Sequence, residues 1–242
     1  MRGTSTLITG PPGAGKSTLA TQYVCAAAAR GERAVIYAFD ERRDTLLTRS
    51  CKLGFNLDQH LSNGLVDVCQ IDPAELSPGE FIALVRKEVE AADNPARLIV
   101  IDSVNGYLSA MPEEKSLVLQ MHELLFYLNQ LGVTSLLLNP QQGLLGSIQS
   151  SLNISFIADT VLLLRFFEAG GRVRKAISAL KNRGGGHEDT IREFRIDQHG
   201  IRIGEPLTAF QGVLTGTPSY TGAGKPLLEG WGESIEGGAD SA

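Results

Sequence analysis

Several kinds of residue are scarce in this chain of 242 residues. Cysteine occurs three times, at Cys25, Cys51 and Cys69, with no CxxC pair and no metal-ligand spacing. That pattern excludes a disulfide framework, and the thiols read as buried or idle in a reducing cytosol. No apolar run reaches the roughly 18 residues a membrane span needs. The opening Met1-Arg2-Gly3 leads almost directly into an apolar strand without a signal-peptide core, so the expected location is cytoplasmic. Positive charge is also short: 22 Lys and Arg stand against 27 Asp and Glu, a formal net charge of −5. This balance counts against a broad nucleic-acid surface. Aromatics make up 6 %, and no basic loop interleaved with them is present to stack on single strands.

What is present is an ordinary globular mixture, 43 % hydrophobic and 20 % charged. Ser5–Thr9, Ala34–Phe39, Leu65–Ile71, Arg97–Asp102 and Val133–Leu138 read as strands, several of them continuously apolar. Between them lie helical patterns: Ser17–Arg30, Thr45–Leu53, a helix opened by Ser77-Pro78-Gly79-Glu80, and Glu113–Leu131. Ser77 offers an N-cap, Pro78 a first-turn proline and Glu80 the reciprocal capping partner. Leu117, Met121, Leu124, Leu125, Leu128 and Leu131 share one helical face. Strands alternating with helices predict an α/β fold with a mainly parallel sheet covered on both faces. Thr160–Phe167, Val173–Arg183, Ile191–Asp197 and Gly200–Ile203 then predict an antiparallel C-terminal extension. The folded domain is expected over residues 1–211, followed by a Gly/Pro/Ser-rich tail over 212–242. Within that tail, Gly222-Ala223-Gly224-Lys225 imitates a phosphate loop but has Ser219 and Pro226 at required positions.

The chain is organised around Gly10-Pro11-Pro12-Gly13-Ala14-Gly15-Lys16-Ser17-Thr18, which satisfies the phosphate-loop pattern at every fixed position. An apolar strand leads in and an amphipathic helix leads out, the context that pattern requires. Glycines let successive N–H groups turn toward phosphate oxygens, and the helix N-terminus adds positive potential. Gly10, Gly13, Ala14, Gly15, Lys16, Ser17 and Thr18 are therefore the expected nucleotide-binding residues. Lys16 is expected at the β- and γ-phosphates, and Ser17 on Mg²⁺. Asp102, closing an apolar strand, fits the acid that holds Mg²⁺ through water beside such a loop, or else caps a helix or turn. Asp40 and Glu41 end another strand at the edge where open α/β sheets bind ligands. Either carboxylate is a candidate for orienting or deprotonating a nucleophile, or both are solvated loop acids. Lys181 and Arg183, two apart at a strand end, share one face. They form either a cationic finger for phosphates or a solvated basic edge.

Taken together, Gly10–Thr18, Ala38-Phe39-Asp40-Glu41, Ile101-Asp102-Ser103, Ala158-Asp159-Thr160, Lys181-Asn182-Arg183-Gly184 with His187, and Arg192-Glu193-Phe194 resemble the KaiC-like circadian-clock ATPases of the RecA superfamily. The likeness spans residues 3 to 218 and is greatest to the second KaiC domain. It implies a RecA-like core with the Val133–Leu138 strand between the phosphate-loop and Asp102 strands. It also implies a six-membered homo-oligomeric ring with Mg²⁺ and ATP between subunits, and signalling proteins as partners. Asp40 and Glu41 would be the catalytic acids, and Lys181 and Arg183 would act on the neighbour's γ-phosphate. Ser155 would be the phosphoacceptor for any autokinase activity.

Three positions depart from the family. Its acid pair is usually Glu-Glu, where this chain has Asp40. Its adjacent Ser and Thr acceptors become Ser155 and Phe156. Leu53 stands where the second domain stacks a Trp on adenine. Family members also carry more residues ahead of the first strand, and a fragment of a two-domain protein would begin as this chain does. The leading expectation is Mg²⁺-dependent ATP hydrolysis in a ring. The alternatives are a nucleotide-gated signalling scaffold with little turnover, or a DNA-dependent motor.

Overall fold

A computed structural model describes residues 2–109, 117–141, 155–214 and 219–220. The N-terminal half alternates as read: β1 (Ser5–Gly10), α1 (Lys16–Ala29), β2 (Ala34–Ala38), α2 (Arg43–Lys52), α3 (Leu57–Ser62), β3 (Val66–Gln70) and α4 (Pro78–Val89). β4 (Leu98–Asp102), α5 (Val104–Ser109), α6 (Leu117–Gln130) and β5 (Thr134–Pro140) follow. β6 (Thr160–Ala169), β7 (Arg172–Asn182), β8 (Arg192–Asp197) and β9 (Gly200–Pro206) form the antiparallel extension. Last come the two-residue strands β10 (Phe210–Gln211) and β11 (Ser219–Tyr220), which pair with each other.

The nine-stranded sheet runs β3-β2-β4-β5-β1-β6-β7-β8-β9. β5 lies between β4 and β1, as the RecA resemblance implied. Pairing is parallel from β3 through β6 and antiparallel from β6 onward. Apolar side chains on both faces of β2, β4 and β5 hold two cores. Leu7, Val35, Ile99 and Leu137 meet Phe81 and Val85 of α4, and Met121, Leu125 and Leu128 of α6. Ile8, Ile36, Val100 and Leu138 meet Leu19 and Val24 of α1, Leu46 of α2 and Leu57 of α3. Alternate side chains of each strand serve opposite faces, so a strand buried twice must be apolar throughout.

Differences from the sequence reading fall where pattern is weakest. α3 and α5 have six residues each, too short to show a period. Leu131 lies beyond the end of α6 and is 39 % exposed, so it leaves the face it was assigned to. The expected start of that helix at Glu113 lies outside the described residues, as do Gly222–Lys225. The cysteines are free, and none is fully buried. Cys51 is exposed, while partial burial pushes the Cys25 thiol up to about 11 and keeps it protonated. No described helix is long and apolar enough to cross a membrane.

The capping box on α4 is complete. Ser77 Oγ accepts from the Glu80 N–H at 3.3 Å, and Glu80 Oε2 accepts from the Ser77 N–H at 2.9 Å. Ser77→Ala is expected to cost about 1 kcal/mol. A thermal melt should show the midpoint fall by about 2–4 °C; an unchanged midpoint would mean the box contributes nothing.

Candidate nucleotide site

The site begins where β1 runs out. Gly13 and Gly15 take positive φ, 77° and 113°, a region open to glycine at little cost. Gly15 is the N-cap of α1 in the left-handed conformation. No side chain caps that helix, and its first turn holds no acid. Its leading N–H groups are thus left for an external anion. Lys16 is buried, and its Nζ donates to the carbonyls of Gly10 and Pro11, both at 2.9 Å. Burial lowers its pKa, against the pull of the Asp102 charge. A desolvated ammonium held by carbonyls would gain most from an arriving phosphate.

The antiparallel extension backs this loop. A Cβ on Gly15 would lie 2.7 Å from Ile196 Cδ1, and one on Gly13 would lie 3.8 Å from Phe166. Lys175 Nζ donates to the Gly13 carbonyl at 3.1 Å, with its ammonium 5.8 Å from the Phe166 ring centroid.

β2 and β4 end at the same edge as β1, bringing three carboxylates there. Asp102 hydrogen-bonds with the Ser17 hydroxyl. Burial raises the Asp102 pKa, and the Glu41 and Asp40 charges add to this; the Ser17 bond and the Arg49 charge oppose it. Asp40 Oδ2 accepts from the Ser103 hydroxyl. Glu41 Oε1 accepts from Arg49 Nη1 on α2. A Cβ on Gly106 would sit 2.5 Å from Phe39 Cβ and 3.1 Å from Asp40 Oδ1, so α5 approaches the acid pair only because residue 106 has no side chain.

Ser17 and Asp102 offer hard oxygen donors side by side, which fits Mg²⁺. Among the described residues no three His, Cys, Asp or Glu side chains form a metal cage. Mg²⁺ typically takes one or two protein oxygens and completes its shell with phosphate and water.

Lys181 and Arg183 are not near this edge. Asn182 pairs with Thr160, and Thr160 pairs with Thr6, so the two cations lie level with the start of β1. From Thr6 to Gly10 the strand rises roughly 13 Å. Lys181 Nζ donates to the carbonyls of Ser155 (2.9 Å) and Ala158 (2.6 Å), and Arg183 Nη2 donates to that of Phe156 (2.7 Å). Ser155 itself is exposed. Burial pushes the carboxyl of adjacent Asp159 up, but hydrogen bonds from the Ser5 N–H and hydroxyl hold it below its ordinary range.

The candidate residues thus fall into two groups. Gly10–Thr18, Asp40, Glu41 and Asp102 come together, while Lys181, Arg183 and Ser155 gather at the opposite edge. Sequence reasoning missed Arg49, Ser103, Gly106 and Lys175. Arg49 follows Glu41 by eight residues, about two helical turns, and Ser103 directly follows Asp102; both signals were legible. Lys175 and Gly106 carry no local signal, because their partners are distant in sequence.

A parallel sheet in this strand order, with a phosphate loop after β1 and an acid after β4, defines a RecA-like P-loop nucleotide-binding domain. A family model described as "ATPase: KaiC" matches residues 1–208. The "Circadian clock protein KaiC3" of Synechocystis sp. is 32 % identical over 216 residues, which cover 89 % of this chain and 42 % of that protein. The "Circadian clock oscillator protein KaiC" of Synechococcus elongatus is 30 % identical over 217 residues, 88 % of this chain and 41 % of its own. That of Thermostichus vulcanus is 27 % identical over 216 residues, with 88 % and 41 % covered. The chain belongs to the KaiC ATPase family, and it spans about two fifths of the length of these relatives.

Gly106→Ala should displace Asp40 and Phe39, costing roughly 1–3 kcal/mol. Gly79→Ala, where a Cβ meets nothing within 4 Å, is the control and should be neutral or slightly stabilising. Equal melts for the two variants would refute the close approach at residue 106.

Proposed function

We propose that this chain binds Mg²⁺·ATP at the Lys16 edge and hydrolyses it with help from a second copy of itself, in a ring. The observation that carries this reading is the separation of the two charged groups. Lys181 and Arg183 lie about a strand length from their own phosphate loop and are out of reach of its nucleotide. A guanidinium and an ammonium at the far edge suit the γ-phosphate of a neighbouring copy. The ring of six comes from family likeness, as do signalling partners that would read its nucleotide state.

The roles divide by position. Lys16 and the uncapped N–H groups of α1 would hold the β- and γ-phosphates. Ser17 and Asp102 would hold Mg²⁺, which when bound draws charge from the phosphate oxygens. Glu41 already carries a charge-assisted bond from Arg49, whereas Asp40 is held only by a neutral hydroxyl. Asp40 is therefore the better placed of the two to orient water and accept its proton. Attack of that water on the γ-phosphorus breaks the bond to the β-phosphate oxygen and releases ADP and phosphate. Arg183 and Lys181 of the adjoining copy would meet charge on the transferring oxygens. Ser155 lies at the finger's edge, so any phosphoryl transfer to it would also come from the neighbour's ATP.

Lys16→Ala should abolish nucleotide binding in a calorimetric titration; unchanged affinity would refute the phosphate-loop role. Arg183→Ala should leave binding intact and lower turnover on the order of 10³-fold. Mixing it with subunits carrying Asp40→Ala and Glu41→Ala should restore part of the activity, because some interfaces then pair an intact acid site with an intact finger. Co-assembly without recovery would overturn action between subunits. Nucleotide-dependent assembly without turnover in the wild type would leave a signalling scaffold.

A further inference from the structure

Glu41 and Arg49 form an ion pair at the wall of the nucleotide site. Arg49 Nη1 donates to Glu41 Oε1, while the second atoms, Arg49 Nη2 and Glu41 Oε2, are buried without a partner. The pair is thus a single-pronged contact between groups that fit each other bidentately. Glu41 lies three residues beyond the end of β2, and Arg49 sits in the last turn of α2. The bond therefore ties the carboxylate onto the helix. Asp102 on β4 feels the charges of Glu41, Arg49 and Asp40 alike. Arg42 and Arg43 follow Glu41 in the chain and are exposed, so among the described residues Arg49 is the cation bonded to this carboxylate.

We propose that Arg49 is a positioning residue for Glu41: it holds this carboxylate on α2 so that its charge does not oppose the incoming triphosphate. The inference rests on the nucleotide-binding part of the proposed function. Without Arg49, Glu41 is left as an unpaired carboxylate in a partly buried site that already holds Asp40 and Asp102. Its unpaired charge then opposes an incoming triphosphate. Loss of the charge on Glu41 removes that opposition. Arg49 also borders an open cavity of about 580 Å³ with Asp44, Thr45, Thr48, Lys52 and Leu53. A substituted side chain there faces space rather than packed core.

The test is a binding cycle, which needs no turnover. Mg²⁺ with a non-hydrolysable ATP analogue is titrated calorimetrically into the full chain, wild type and variants, with thermal melts alongside. Arg49→Met should weaken binding about tenfold, the scale of one partly screened charge. Arg49→Lys, which keeps the charge, should recover most of this loss. In the Glu41→Gln background, Arg49→Met should change affinity by less than about twofold. The same tenfold loss in both backgrounds would overturn the proposal. So would an Arg49→Met variant that binds as the wild type does, or an Arg49→Lys variant as defective as Arg49→Met. If Arg49→Met does not fold, Arg49→Gln takes its place in the same cycle, and the shorter amide makes the same prediction. Wild-type protein that binds the analogue but shows no turnover removes the hydrolytic reading alone, and the cycle still decides Arg49. Wild-type protein that binds no nucleotide overturns both.

Discussion

The buried ammonium of Lys16 is the constraint from which the rest of the site follows. An amine that is 8 % exposed must be compensated, and the carbonyls of Gly10 and Pro11 supply only neutral acceptors. Those carbonyls point inward because the loop turns through glycines at positive φ and ends in a helix that begins at Lys16 itself. The opposite charge comes from Asp102, which belongs to β4 and reaches the loop only because β5 alone separates β4 from β1. Strand order is therefore electrostatic as well as geometric here. A sheet with β4 at its margin would leave Lys16 buried without a carboxylate in range.

The second constraint is a bulge in β7. Val161 pairs with Lys181 but Leu162 pairs with Ala179, so Leu180 is an extra residue in the ladder. Before it, Lys175 and Ile177 face the same side as Phe166 and Leu164, toward the phosphate loop. Strict alternation would keep Lys181 on that side too. The bulge turns it to the other face, the side of Val161, where it meets the carbonyls of Ser155 and Ala158. One strand thus presents Lys175 to its own phosphate loop and Lys181 to the far edge. Bulges commonly re-aim a side chain in this way near a site.

These two constraints show what sequence can and cannot reveal. Buried parallel strands are legible because burial on both faces demands continuous apolar residues, as in Leu98-Ile99-Val100-Ile101. The phosphate loop is legible because its chemistry is local, all within Gly10–Thr18. The α4 cap is legible for the same reason. Lys181 and Arg183 both bond carbonyls within residues 155–158, but the bulge that re-aims Lys181 leaves no mark in the chain. Whether they stand near their own loop or away from it depends on β6 running parallel to β1 and β7 running back. The small side at Gly106 and the bond from Arg49 to Glu41 come from packing between β2, α2 and α5. Such contacts join segments whose local patterns are independent of each other.

Charge balance carries the last step. At the phosphate-loop edge Asp40, Glu41 and Asp102 stand with Lys16, Arg49 and Lys175, and a nucleotide triphosphate would add further negative charge. Mg²⁺ at Ser17 and Asp102 would offset part of this. Lys181 and Arg183 are bonded to backbone carbonyls at the opposite edge. Burial and the Arg183 charge lower the Lys181 pKa, and the Asp159 carboxylate close by opposes them. Asp159, bonded by Ser5, ties the segment before β6 to the start of β1 close behind them. The carboxylates at one edge and the paired cations at the other are kept apart by the parallel run of β1 and β6 and the return of β7.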